Sequence, residues 1–346
     1  MSPIEEELRA TFERHEVMTP AVGPVRARID LAWVRAKRRR LIRRIAGAAA
    51  AVLMAGAAVP VVLEQWQHEP TPPVSSLSDA HYSEPAATGP LNVLLLGSDN
   101  RLRARDPRDR RADTVMIIHV PADRSRAYLV SLPRDGEVRL PDGAKVKLSE
   151  TLFFGGPDLS EKVVAGLTGV TFDATVTIDF RALRAVTEAV GGVQMCLPQA
   201  FKSVHNGKTY PKGCQHLGAA DVVPVLQARY RLANGSYDRD RNTQRFLRAL
   251  AVKLAADGTF ADPARVRSLL VAGKDGLQIK GDPAALLRVV ASLGSPEAVG
   301  IGERTFQGMA SGRERIYPKV GPRLFEAIRA DTLRAWVVEN PTFILK

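Results

Sequence analysis

Arg111–Asp135 reads RADTVMIIHVPADRSRAYLVSLPRD. Two apolar runs, Thr114–Val120 and Arg126–Leu132, flank the link PADRS. The runs are rich in β-branched and aromatic side chains and the link carries Pro and Asp, so the stretch predicts two strands in a hairpin. Neither run alternates cleanly between apolar and polar, which is the pattern of strands covered on both faces. Polar residues crowd the outer ends, with Arg111 and Asp113 before the first strand and Arg134 and Asp135 after the second.

Working outward, Leu91–Asp99 (LNVLLLGSD) is another continuous apolar run that ends in turn residues. It predicts a buried strand delivering Ser98, Asp99 and Arg101 at its end. Downstream, Asp158 and Glu161 open a predicted helix with a capping pattern, and TVTID is a further strand. Asp179 caps a helix whose Phe180, Leu183, Val186 and Val190 share one face. Gly191-Gly192 ends it before the strand VQMCL. Later helices are predicted at about 218–230, 242–256, 263–271, 283–292 and 322–338. Strands mixed with helices predict an α/β (α+β) sandwich, a central mixed sheet flanked by helices.

The chain has 346 residues and a formal net charge of +12. Residues 1–63 carry +5 of that charge and the remainder +7, too mild and too spread for a nucleic-acid footprint. Seven bases between Arg35 and Arg44 precede the uncharged run Ile45–Leu63. A helix of that length spans about 28 Å, near the thickness of a bilayer's hydrocarbon. Trp33 and Trp66 flank it. The positive-inside rule then puts the N-terminus in the cytoplasm and everything after about Glu64 outside. The expected organisation is a basic cytoplasmic segment at 1–44, a single-pass anchor in the cell membrane at 45–63 and a Pro-rich linker at 64–90. A folded domain follows at 91–255, and residues 256–346 complete it.

Cys196 and Cys214 are the only cysteines. Both fall on the side expected outside, where oxidising surroundings favour a disulfide; the alternative is a pair of buried thiols. The chain has no G-x-x-x-x-G-K-[ST], G-x-S-x-G or H-E-x-x-H, which leaves P-loop kinase, serine hydrolase and zinc protease readings without support. What it offers instead is Asp and Arg at strand ends. Carboxylates suit a hard cation such as Mg²⁺ that also takes phosphate oxygens, and guanidinium forks suit phosphate. A further cluster, Arg229-Tyr230-Arg231 and then Asp238–Arg245 (DRDRNTQR), precedes the apolar run from Phe246. Such charge density is ordinarily a solvated loop and helix start.

Taken together and in this order, the stretches LNVLLLGSDNR, RADTVMIIHVPADRSRAYLVSLPRD, KVKLSETLFFGGP, VTIDFRALRAVTEAVGGVQMCLP and RYRLANGSYDRDRNTQRFL resemble the LytR-CpsA-Psr family of cell-wall proteins, in its actinobacterial form. The resemblance implies an α/β sandwich enclosing an apolar pocket for a polyprenyl tail. It implies a Mg²⁺-dependent phosphotransferase that moves a glycopolymer from a polyprenyl-pyrophosphate carrier to peptidoglycan. Residue by residue, Asp99 and Asp113 match the family's metal-coordinating aspartates, and Arg111 and Arg134 its pyrophosphate-binding arginines. Arg134 thereby joins the two aspartates as a catalytic candidate. Arg229, Arg239, Lys147 and Gln244 match further positions of the pyrophosphate site. The sequence departs from the family pattern at Gln227, where Arg is usual, at Asn242 and Thr243, where Arg and Gln are usual, and at Ser149, where Asn is common. Those departures keep two other readings in view: a non-catalytic carrier-binding scaffold, and a pyrophosphatase acting on the same lipid.

Overall fold

The structure, a computed structural model, describes residues 89–100, 110–230, 232–259, 262–281, 298–303 and 306–345. The basic segment, the apolar run 45–63, most of the Pro-rich stretch and the helix expected at 283–292 lie outside the described residues. Among the described residues no helix is long and apolar enough to cross a membrane.

A seven-stranded mixed sheet organises the fold. Its sequence-first strands are β1 (Leu91–Asn100), β2 (Arg110–Val120) and β3 (Ala127–Leu132), joined antiparallel. Two short strands, β4 (Glu137–Arg139) and β5 (Lys145–Lys147), form a side hairpin. The helix α1 (Thr151–Thr168) leads to β6 (Ala174–Asp179), which lies parallel to β1. Next come α2 (Phe180–Ala189) and β7 (Val193–Leu197), then the small pair β8 (Phe201–Lys202) and β9 (Thr209–Tyr210), and β10 (Gly213–Leu217). Helices α3 (Ala219–Leu226), α4 (Ser236–Ala256) and α5 (Pro263–Gly273) precede β11 (Leu277–Gly281). The chain closes with β12 (Ala298–Ile301), α6 (Gly321–Arg329), α7 (Leu333–Glu339) and β13 (Ile344–Leu345). The sheet order is β11-β6-β1-β2-β3-β12-β13.

The doubly apolar strands explain the layering. Along β1, Leu94 and Leu96 pack with α1, α6 and α7 on one face, while Val93 and Leu95 pack on the other with Met116, Val176 and Ala251 of α4. A fully buried side chain of this size contributes roughly 1.5–3 kcal/mol, so both faces hold the strand. A third cluster gathers α2, α3, α4 and β7 beside the second layer. Cys196 and Cys214 face each other across β7 and β10 and form a disulfide.

Several boundaries move from their sequence positions. β2 starts at Arg110 because the polar tail of β1 keeps pairing with it, and backbone pairing does not require apolar side chains. The helix expected from Asp158 begins at Thr151 and is kinked at Gly155-Gly156, where Gly156 has φ +68°. Pro157 explains the break, since it disfavours helical backbone in the residue before it. Residues 322–338 form two helices, parted at Asp331, whose φ is +56° and whose carboxylate accepts from Ala122 N at 3.0 Å and meets His119 Nε2 at 2.9 Å. α4 begins at Ser236, and Asp238, Arg239, Asp240, Asn242, Thr243 and Gln244 are buried in its first turns. The expectation of a solvated loop there is overturned.

Candidate functional site

The site starts from an irregularity in strand pairing. β1 and β2 pair in step from Leu91↔Val120 to Gly97↔Thr114, and then Ser98 pairs with Ala112, leaving Asp113 as an extra residue. A bulge of this kind lets two consecutive side chains share a face. Asp113 and Thr114 accordingly line the same cavity as Gly97. Gly97 suits this spot because a Cβ there would stand only 3.0 Å from Thr114 Cβ.

Asp113 is clamped by two guanidiniums. Arg134 forms an ion pair with its Oδ1, and Arg239 Nη1 stands 3.6 Å from the same oxygen. Arg134 is brought in by the turn after β3, which is closed by Gly136 N donating to Pro133 O at 3.0 Å. Its carbonyl accepts from Ser149 N at 2.9 Å. Arg239 arrives from the first turn of α4 with a side chain only 4% exposed. Asp240 backs it, accepting from Arg239 Nη2 at 3.1 Å. Burial pushes the Asp240 carboxyl up from its ordinary value, against the opposing charge of Arg239.

Around this core lies a wider charged network. Asp135 accepts from Lys147 Nζ at 2.8 Å. Burial would raise its carboxyl, but the Lys147 bond and the charges of Arg134, Lys147 and Arg239 outweigh it and hold the group below the usual range. Arg111 stands 4.0 Å from Glu150, and Glu150 in turn accepts from Lys147 N at 2.9 Å. Behind Asp240, the Tyr237 hydroxyl donates to Glu314, whose carboxyl is raised by burial despite that bond. Burial pushes Glu303 up to about 7, against a backbone hydrogen bond from Tyr317.

An apolar cavity adjoins the clamp. It is about 100 Å³ and is lined by Ile178, Phe180 and Leu183 on one side and Phe246, Leu247 and Leu250 of α4 on the other. Asp113 is its only charged lining residue among those described. A polar end and an apolar body therefore meet at one carboxylate, the layout of a site for an amphipathic ligand.

Of the residues singled out from sequence, Asp113, Arg134 and Arg239 converge, Lys147 joins through Asp135, and Arg111 lies next to Glu150. Asp99 occupies the register position opposite Arg111; its side chain is not among those described. Two residues are placed elsewhere. Gln244 is buried with its amide donating to Leu129 O, Ser131 Oγ and Ile301 O at 2.8–3.0 Å, so it locks α4 to the sheet rather than reaching the clamp. Arg229 is exposed, its guanidinium 4.8 Å from the Tyr230 ring centre and bonded to that hydroxyl. Of the departures, Thr243 lines the apolar cavity and Asn242 accepts from Arg245. Sequence reasoning missed Asp240 and Glu150 as partners of the site's cations. Asp240 stands beside Arg239 in the DRDR run, but nothing in that run says which charges turn inward.

The donor chemistry suits a hard cation. Asp113 offers carboxylate oxygens near the start of β2, beside the end of β1 that carries the Asp99 position, and Mg²⁺ takes one or two carboxylates and fills its remaining positions with phosphate oxygens and water. Among the described residues no three His, Cys, Asp or Glu side chains are grouped as an all-protein metal cage would require.

Comparison with known proteins follows the same lines. The model of the LytR_cpsA_psr family matches residues 64–311. The cell wall biosynthesis protein LcpA of Corynebacterium glutamicum is 30% identical over 225 residues, which cover 53% of this chain and 43% of that one. The polyisoprenyl-teichoic acid–peptidoglycan teichoic acid transferase TagV of Bacillus subtilis is 24% identical over half of this chain and 46% of its own. The chain thus spans about half the length of the curated relatives it matches. The crystal structure of TagV superposes with a TM-score of 0.57 at 19% identity, covering 71% of this chain and 97% of that one. TagT bound to LI-WTA gives the same score and identity, covering 71% and 92%. At these identities the superpositions speak for the fold alone.

Proposed function

Since the chain belongs to the LytR-CpsA-Psr family, we propose that it is a transferase of cell-wall construction, carrying a glycopolymer from a polyprenyl-pyrophosphate donor to a peptidoglycan hydroxyl. The observation that carries this reading is the joint presence of the arginine-clamped Asp113 and the apolar cavity that Asp113 lines. The cavity matches the isoprenoid in its apolar lining and, at about 100 Å³, would take only the first part of the chain, while the guanidiniums suit the pyrophosphate. The names of LcpA and TagV support the same assignment. The apolar run 45–63 would hold the protein at the membrane surface, outside the cell, where the donor lipid is confined.

The reaction is a phosphoryl-type displacement. The acceptor hydroxyl oxygen attacks the phosphorus that bears the polymer and releases its proton to solvent, the bond from that phosphorus to the bridging oxygen breaks, and polyprenyl phosphate leaves with that electron pair. Catalysis then rests on positioning and on neutralising charge as it shifts to the leaving group. Arg134 and Arg239 would carry that charge, with Lys147 and Arg111 at the margin. Asp240 and Glu150 fix the directions of Arg239 and Arg111. A Mg²⁺ ion held by Asp99 and Asp113, when bound, would supply further neutralisation of phosphate oxygens. Arg134 and Arg239, which stand against Asp113, would be the groups that face the donor phosphates.

The test is incubation of the full chain with Mg²⁺ and a polyprenyl-pyrophosphate-linked saccharide, with and without peptidoglycan fragments, followed by mass spectrometry. Saccharide phosphate on the fragments, lost in Asp113→Asn and Arg134→Ala, is the expected result. Free saccharide phosphate in the absence of acceptor would indicate a pyrophosphatase. Lipid binding without turnover would indicate a scaffold.

A further inference from the structure

The two guanidiniums on Asp113 come from different elements. Arg134 belongs to the turn between β3 and β4, and Arg239 to the first turns of α4. Glu314, in the segment between β12 and α6, is bonded to both. To the turn it presents its backbone: its N–H donates to Asp135 O at 3.1 Å, and its carbonyl accepts from Glu137 N at 2.8 Å. These bonds straddle Gly136, which forms a parallel bridge with Glu314. Gly136 permits the approach, because a Cβ there would overlap the Ile316 side chain. Next to it, Arg313 Nη1 donates to Glu137 Oε2 at 3.1 Å. To the helix Glu314 presents its side chain, whose Oε2 accepts from the Tyr237 hydroxyl.

Both partners of this tie are buried. Tyr237 lines a small hollow together with Asp240, Ser131 and Pro133, so the start of α4 packs on the end of β3 where the Arg134 turn begins. The Glu314 carboxyl lies within reach of acids from both elements. Burial raises it, with Asp135 of the turn and Asp240 of the helix adding to the rise and the Tyr237 bond and Lys147 opposing it. Tyr237 precedes Arg239 by two residues, and the bond at its tip fixes the height and rotation of the helix start. Burying a carboxyl is costly, and an apolar pair of the same shape would fill the space about as stably. What an apolar pair lacks is direction, which a hydrogen bond supplies through its distance and angle.

We infer that Glu314 is a positioning residue: by tying the Arg134 turn to the start of α4, it sets the spacing of Arg134 and Arg239 so that one pyrophosphate spans both guanidiniums. The inference rests on the proposed transferase reading for the reaction that this spacing serves. Glu314 does not touch the donor and acts through the turn and through Tyr237. Neutralising charge as it shifts to a leaving group depends on where the cations already stand. A misplacement of about 1 Å by a change far from the chemistry can cost on the order of a hundredfold in rate. The bond to Tyr237 is the part of the brace that substitution can cut while the backbone bonds to the turn remain.

Titration calorimetry of the full chain with inorganic pyrophosphate and with inorganic phosphate reads the spacing without turnover, since one guanidinium can hold phosphate but the longer anion engages both. The unaltered protein should prefer pyrophosphate. Tyr237→Phe and Glu314→Ala should each lose about tenfold of that preference, and kcat for transfer should fall about a hundredfold, well beyond any rise in KM. Glu314→Gln keeps an oxygen that can accept from Tyr237 and should recover most of both. Tyr237→Phe/Glu314→Leu removes the two buried polar groups together, so its unfolding temperature should return toward that of the unaltered protein while the preference and kcat stay low. A double variant that regains the preference along with the stability would show a purely structural tie and overturn the inference. So would single variants that leave the preference unchanged, or an unaltered protein that does not distinguish the two anions. No transfer by the unaltered protein, with a preference that still depends on Glu314, would defeat the transferase reading alone and leave the positioning of the clamp standing.

Discussion

Gln244→Glu exchanges one atom and separates a structural role from a ligand-binding one. The Gln244 amide nitrogen donates to Leu129 O, Ser131 Oγ and Ile301 O from a position 2% exposed. A carboxylate there would face two carbonyl oxygens that cannot donate, with only the Ser131 hydroxyl able to turn toward it. The loss is then a donated hydrogen bond or two, roughly 1 kcal/mol each, plus an uncompensated buried charge. Removing a partner from a buried charge costs about 3–5 kcal/mol, and that is the larger effect. For a unit of this size the unfolding temperature should fall on the order of 10 °C. The penalty applies to the charged form, so it is absent below the ordinary Glu value of about 4.3 and grows as pH rises above it. Thermal unfolding followed by circular dichroism across pH 4–8 reads both effects. An unchanged unfolding temperature combined with lost donor-lipid binding would refute the reasoning and return Gln244 to the pyrophosphate site.

The remaining expectations are simpler. Glu303 is raised from 4.5 to about 7 by burial, so the folded state holds its proton more tightly than the unfolded chain; stability should fall as pH rises from about 4.5 to 7, by on the order of 2–3 kcal/mol, and Glu303→Gln should flatten that slope in pH-dependent urea unfolding. Cys196→Ser/Cys214→Ser releases a bridge between residues 18 apart and should cost about 3 kcal/mol, read as a lowered denaturation midpoint that a reducing agent reproduces in the unaltered protein. Gly97→Val would drive a side chain against Thr114 and into the cavity, so polyprenyl-lipid affinity should drop about tenfold or more while affinity for inorganic pyrophosphate changes little.

The sheet was legible because apolar runs such as LNVLLL and TVMIIHV leave few alternatives to burial on both faces. Asp179 as a helix cap was legible for a local reason: its carboxylate accepts from Arg181 N and Ala182 N, both within three residues. The clamp was legible in its members but not in its pairing. Arg239 and Gln244 belong to the same charged run, yet one reaches Asp113 and the other the sheet backbone. Five residues of helix place them well around the axis from each other, and only the position of the sheet decides which direction is the site. Glu314 and Tyr237 were invisible because their contact spans 77 residues.

The bulge at Asp113 has a consequence for how this segment can vary in length. Because pairing resumes at Ser98↔Ala112, deleting Asp113 would restore an unbroken ladder and offend no backbone hydrogen bond. Such a chain should fold and keep its sheet. It would lack the carboxylate on which Arg134 and Arg239 converge, leaving two inward guanidiniums to repel each other. The extra residue therefore acts as a removable spacer: its loss leaves the ladder's pairing intact and undoes the clamp.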